Sequence, residues 1–465
     1  MKRLLIAASL LAACSRGPSY DLVISNGRVM DPESNLDAVR NVGIRAGHVE
    51  AISTAPLNGA RVIDASGLVV APGFIDLHEH GQQEESYALM VRDGVTSALE
   101  LEVGTGDVPA WYAARSSGQI VNYGVSIGHI KARMKVLGDP GTALLPSGIG
   151  GSGVASDAQI AAMEAILRTG LADGAVAVGF GSAYTPGATM TEIGRMFRVA
   201  ADGGASAHIH MRNGIAGLDS TIAAAAAAGA KLHVVHVNSS GDTALTAFLA
   251  HIQAARDRGQ DVTTEAYPYG AGMTEIQSAL FDDWKTWPDA KFGLHQLVST
   301  GERLTRTTFA EARLKGGTVI IHGRSEEQTK AAIASPLTMI ASDGFIENGR
   351  GHPRTSGTFS KVLGKYVRDE HALTLMDALR KMTLMPAQRL EARVPTMATK
   401  GRLRVGADAD LTLFDPATVI DRSTYENATI ASAGIPYVVV RGQVVVDSGH
   451  VTRARPGTPI RAPLK

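Results

Sequence analysis

Cysteine is almost missing: Cys14 stands alone among 465 residues. A single thiol excludes an internal disulfide and any thiolate-built metal site. Net charge is missing too, with Lys+Arg 45 against Asp+Glu 45. That balance excludes an extended basic surface for nucleic acid or an anionic membrane, and leaves a small-molecule substrate as the expected partner. Aromatics are scarce at 5%, whereas glycine is abundant at 51 residues. The apolar stretch over residues 4–13, behind Lys2 and Arg3, is too short to span a bilayer. It reads instead as a cleaved leader, which puts the mature protein outside the cytoplasm.

What the chain does contain is short apolar runs alternating with helical stretches, the texture of an α/β protein. Residues 20–71 are strand-and-turn, with Asn-Gly, Ala-Gly and Ser-Gly punctuating "DLVISNGRVMD", "NVGIRAGHVEAIS" and "ARVIDASGLVVAPG". The same texture returns in "GRLRVGADADLTLFD" and "PYVVVRGQVVVDSGH". One β-sandwich domain assembled from 20–71 and 396–465 is therefore expected. The middle, 72–395, offers strands at 74–78, 96–103, 120–127, 175–180, 205–211, 232–237, 262–266 and 337–342. Helices are expected between several of them, at 157–171, 190–201 and 217–228. Eight such units point to a (β/α)8 TIM barrel, with an open doubly wound sheet as the rival. About 268–335 is too long for a simple crossover and reads as an insertion beside the site.

Polar residues collect at the C-terminal ends of these strands. In "APGFIDLHEH", alternation puts Asp76, His78 and His80 on one face, with the two histidines roughly 6–7 Å apart. Glu100 and Glu102 close the second strand, His208 and His210 the fifth, His236 the sixth and Asp343 the eighth. Each alone has a plainer explanation: a surface His-x-His, a satisfied core histidine, a solvated glutamate pair or an Asp-Gly turn. Together, at one rim of a barrel, imidazoles and carboxylates without thiols form a ligand set for zinc or a similar divalent metal. Asp343 would then move the proton between water and leaving group.

Several stretches carry resemblances. "LAAC" resembles the lipobox of bacterial lipoproteins, which implies cleavage before Cys14 and a lipid anchor there facing the periplasm, with residues 1–19 as leader and tether. "APGFIDLHEH", the internal histidines, "ASDG" and "GRLRVGADADLTLFD" resemble the amidohydrolase superfamily. Within it, "AHIHMRNG", "EAYPYGAG" and "ASDGFIENGRGHPRTSGTFSKVLGKYVRDE" look most like the N-acyl-D-amino-acid deacylases. The resemblance implies one or two metal ions, with His78 and His80 at one position and His210 and His236 at the other. It also implies Asp343 as acid/base and Arg354 at the substrate carboxylate, for which a planar guanidinium is suited. Tyr267 and Tyr269 become candidates for the pocket wall. Two departures matter. The deacylases use a cysteine on the second strand; here "LELE" offers Glu102, preferred over Glu100 as a bridging ligand. They also carry a lysine near the substrate carboxylate where this chain has Asn238. The expected activity is hydrolysis of a linear amide, an N-acyl-D-amino acid or a dipeptide containing a D residue. A cyclic amide or lactone hydrolase, an isoaspartyl-type dipeptidase, and a non-catalytic binding lipoprotein are the alternatives.

Overall fold

The computed structural model describes residues 19–464 apart from 213. The expected leader and lipid anchor at Cys14 fall outside the described residues. No helix among the described residues is long and apolar enough to cross a membrane.

Eight parallel strands form one sheet in chain order: Phe74–Asp76, Val95–Thr105, Asn122–Gly128, Val178–Gly181, Ser206–His210, Lys231–Val234, Val262–Ala266 and Thr338–Ile340. Each pairs with the next, and the open rival arrangement is excluded where the last meets the first. There Asp343 N donates to His78 O at 2.6 Å, and His80 N donates to Gly344 O at 3.0 Å. The buried Asp76 carboxylate reinforces that seam, accepting from the backbone N–H of His78 and of Ser342. Glycine lets the strands close up beside the site. A Cβ on Gly179 would stand 2.3 Å from the Glu102 carbonyl oxygen.

The crossover helices arise from ordinary caps and apolar stripes. Asp157–Ala172 starts at a reciprocal Ser156/Gln159 capping box and buries Ile160, Met163, Leu167 and Leu171. Met190–Asp202 and Ile215–Ala228 follow the expected bounds to within two residues.

The small β domain is one mixed sheet of nine strands drawn from both ends of the chain, wrapped round an apolar core that includes Ile24, Val42, Ile44, Leu411 and Val439. Its first strand, Ser19–Asp31, runs straight through the Asn-Gly that reads as a turn. Asn26, with φ +61°, forms a bulge there instead. The bulge lets the strand pair with Asn58–Asp64 before it and with Val69–Pro72 after it. The C-terminal end departs from the expected domain boundary. Residues beyond 456 leave the β domain and bond along the barrel floor, through Gly457 N to Gln119 O, Ile460 N to Tyr123 O and Ala462 N to Gly174 O.

The insertion is shorter than expected, because the helix Glu326–Ala334 is the barrel's own crossover. Before it, Gly272–Glu275, His295–Leu297 and Thr318–Ile321 form a three-stranded antiparallel sheet. Phe281, Trp287, Phe292 and Phe309 give this sheet a core of its own.

Candidate metal centre

The rim gathers side chains from five strand ends. Glu102 is central, because its two oxygens serve different histidine pairs. Oε2 lies 3.0 Å from His78 Nε2 and 3.1 Å from His80 Nε2. Oε1 lies 2.8 Å from His210 Nδ1 and 3.9 Å from His236 Nε2. Asp343 Oδ1 approaches His80 Nε2 at 3.3 Å and His78 Nε2 at 3.5 Å. Ligand atoms of His78, Glu102 and His236 fall within 4.8 Å of one another, as do those of His78, His80 and Asp343. All are nitrogen or oxygen donors converging on a shared space, a set that fits zinc or a similar divalent ion in one or two positions.

Backbone strain accompanies this convergence. His236 and Asp343 hold φ of +33° and +54°, in the left-handed region that non-glycine residues rarely occupy. Each costs on the order of 1–3 kcal/mol, and each sits where a barrel strand turns its side chain into the rim.

A supporting layer fixes the imidazoles. Glu265 accepts from His78 Nδ1 at 2.5 Å and from His233 Nε2 at 3.0 Å. Glu100 accepts from His80 Nδ1 at 2.5 Å and from the backbone N–H of Val103 and Gly104. The second-strand glutamates therefore divide the work: Glu102 faces the shared space, and Glu100 orients a histidine from behind.

Electrostatics follow from burial working against pairing. Burial favours a neutral Glu102, yet His78, His210 and His80 hold it well below the usual carboxylate range. Burial likewise opposes charge on Asp343, and Arg354 with His78 outweighs it, keeping the carboxyl ionised. Burial and neighbouring His210 push His236 down to about 3, leaving it a neutral imidazole. Burial disfavours charge on His78 and His80 too, but the carboxylates around them raise both.

Three expected substrate contacts fall elsewhere. Arg354 is wholly buried, with Nη1 2.9 Å from Asp343 Oδ2, so it stands behind Asp343 rather than on a cavity wall. Tyr269 turns away to donate to Asp421 Oδ2 at 3.1 Å. Asn238 is also buried, its amide donating to Tyr267 O at 3.0 Å. His208, one layer below His210, bonds Ser206 Oγ and stacks near His233, away from the rim cluster.

The rim opens into a cavity of about 550 Å³, lined by Tyr184, His210, His236, Ser239, Tyr267 and Arg324 among others. A smaller recess bounded by Val103, Leu144, Leu145 and Phe345 shares Tyr184, Met273, Thr274 and Asp343 with it. Sequence reasoning passed over Tyr184, Glu265 and Arg324. Glu265 was detectable as an acid in a strand, two residues before "YPY". Arg324 had no signal, because it lies at the end of the insertion.

Residues 134–446 match the sequence model of the amidohydrolase family. The chain is 32% identical to the N-acyl-D-glutamate deacylase of Alcaligenes xylosoxydans xylosoxydans, over 95% of this chain and 96% of that one. It is 30% identical to the D-aminoacylase of the same organism, over 92% and 94%. Among solved structures, it superposes with a TM-score of 0.82 on the N-acyl-D-glutamate deacylase from Bordetella bronchiseptica in complex with zinc and a phosphonate mimic of the tetrahedral intermediate. That match is 26% identical and covers 96% of this chain and 100% of the other. A D-aminoacylase structure gives 0.81 at 25% identity, covering 96% and 100%.

Proposed function

This chain belongs to the amidohydrolase family, and from that premise we propose that it is a metal-dependent hydrolase of the linear amide in N-acyl-D-amino acids. The observation that carries this reading is Glu102, whose two oxygens each face a pair of imidazoles, with Asp343 alongside. His78, His80, Glu102, His210 and His236 would hold one or two zinc ions, with Asp343 beside them. A divalent ion in such a site acidifies water and polarises a carbonyl oxygen.

The chain's own groups do the rest. Asp343 accepts the proton that the attacking water gives up and passes it to the departing nitrogen. Arg354 keeps that carboxylate ionised and ready. Tyr184 accepts from Thr274 Oγ1 at 3.4 Å, leaving its own proton for the substrate oxygen. Burial raises the Tyr184 hydroxyl well above its ordinary range, so it remains a donor. The smaller recess, where Val103, Leu144, Leu145 and Phe345 face the acids, takes the acyl group, and the larger cavity takes the amino-acid half.

The test is amine release from paired D and L N-acyl amino acids by zinc-loaded protein. Release from D substrates supports the reading. Ring opening of cyclic amides without amine release from any N-acyl amino acid would replace it. The reading extends to location: "LAAC" supports a lipid anchor at Cys14 on the outer side of a bacterial membrane. Cys14→Ser is expected to move the protein to the soluble fraction with activity intact, and unchanged membrane association would refute the anchor.

A further inference from the structure

Arg324 is a cation without an anion. It is half-buried on the wall of the catalytic cavity, at the end of the insertion. Nη1 donates to Tyr267 Oη at 3.3 Å and Tyr269 O at 3.2 Å, and Nη2 donates to Ser239 Oγ at 2.9 Å. Every one of these partners is neutral. Its Nε is buried and meets no acceptor. Two acids share the cavity wall, Asp343 and Asp242. Asp343 is already paired with Arg354, and among the described residues no carboxylate lies within ion-pair range of Arg324. The Tyr267 ring is flanked by both guanidiniums, Arg354 at 4.7 Å and Arg324 at 5.5 Å from its centroid. A partly desolvated guanidinium with no ion-pair partner is costly unless a ligand balances it.

Two further features suit an anion there. Ser239 Oγ already accepts from Tyr267 Oη at 3.2 Å and from Arg324, so its own hydroxyl proton has nowhere assigned to go. Position 272, facing this corner, is a glycine, and a Cβ there would stand 3.3 Å from Tyr267 Oη and 3.9 Å from Ser239 Oγ. The space above the three groups is kept open.

We propose that Arg324, with Ser239 and Tyr267, forms the carboxylate-reading corner of this enzyme and selects amides whose amine half carries a free carboxylate. The inference rests on the hydrolase reading above and deepens it. It also answers the missing charge at Asn238. The cation comes from the insertion instead, which makes that segment part of the specificity apparatus rather than only a cover.

The test uses zinc-loaded full-length protein and its Arg324→Gln and Arg324→Lys variants. Each is assayed with an N-acetyl-D-amino acid and with the same compound capped as a neutral carboxamide. Removing a charge-assisted contact predicts a fall of about 10- to 100-fold in kcat/KM for the free acid in Arg324→Gln, mainly through KM. The carboxamide should change by less than about threefold, and Arg324→Lys should fall between, because it keeps the charge and loses the fork. Equal losses on both substrates, or no loss on the acid, would overturn the proposal. Calorimetric binding of N-acetyl-D-amino acids separates it from the activity itself. If wild-type protein binds the acid but releases no amine, the hydrolase reading fails while Arg324 can still be judged by weakened binding in Arg324→Gln. Unchanged binding in that variant, or no binding by wild type, defeats the carboxylate corner. Unaltered zinc content and unfolding temperature in both variants exclude a merely structural effect.

Discussion

Asp343 sits at the convergence of the seam, the metal site and the cavity. It is held in the left-handed region, tied by its backbone N–H to His78 O, and ion-paired to Arg354. Asp343→Asn keeps an oxygen donor but cannot carry the proton. Its kcat should drop on the order of 10²- to 10⁴-fold with metal content near wild type, and rate assays with metal analysis would check both. Glu265 acts one step back, through His78. Glu265→Gln should weaken zinc affinity by about 10- to 100-fold while leaving the fold intact, measurable by competition with a chelator. The rim histidines, Glu102 and Asp343 were readable because period-two alternation and strand ends place them on one face. The choice between Glu100 and Glu102 was not fully readable, since both share that face and differ only in depth. Asn238 and Tyr269 misled for a related reason: a motif names the neighbourhood, but the backbone turn decides which side chain meets the cavity.

At the level of elements, the insertion is where sequence reasoning ran shortest. Its strands and clustered aromatics are unremarkable locally, and only long-range pairing puts Arg324 on the cavity wall. His322, next to that wall, donates from Nε2 to Gln296 Oε1 at 2.9 Å and meets the Tyr425 ring edge-on at 4.7 Å. Burial, with Arg303 nearby, pushes its imidazole down to about 4. The folded value lies below the unfolded one, so the unfolded chain binds more protons in between. Stability from this group is therefore complete above about pH 6.5 and is lost as pH falls through about 4. Because His322 is only partly buried, solvent screening leaves roughly 1–2 kcal/mol. Denaturant unfolding of wild type and His322→Gln at pH 7 and pH 4.5 should show the wild type losing more on acidification. Parallel losses would contradict the assignment. The crossover helices, by contrast, were legible to within two residues, because capping and apolar period agree there. The Asn-Gly bulge in the first strand was not, since the same dipeptide serves turns and bulges alike.

For the whole molecule, the fold class was legible because parallel strands buried on both faces read as repeated apolar runs between helices. The final path of the chain was not. The C-terminal residues that return to the barrel floor carry no periodic pattern, and backbone bonds to Gln119, Tyr123 and Gly174 determine their place. A metal held by residues from four strands, with Asp343 beside it on a fifth, should also brace the cylinder. At free zinc of about 100 times Kd the native state should gain roughly 3 kcal/mol. Chelation is thus expected to lower Tm by several degrees and abolish hydrolysis, with zinc restoring both. Loss of activity without any change in Tm would separate the ion from the fold.

The most direct measurement is anomalous diffraction from zinc-loaded crystals of the full chain. Density at about 2.0–2.2 Å from Glu102 and from imidazole nitrogens of His78, His80, His210 or His236 is the predicted result. Zinc bound elsewhere, with those side chains free of it, would contradict the account.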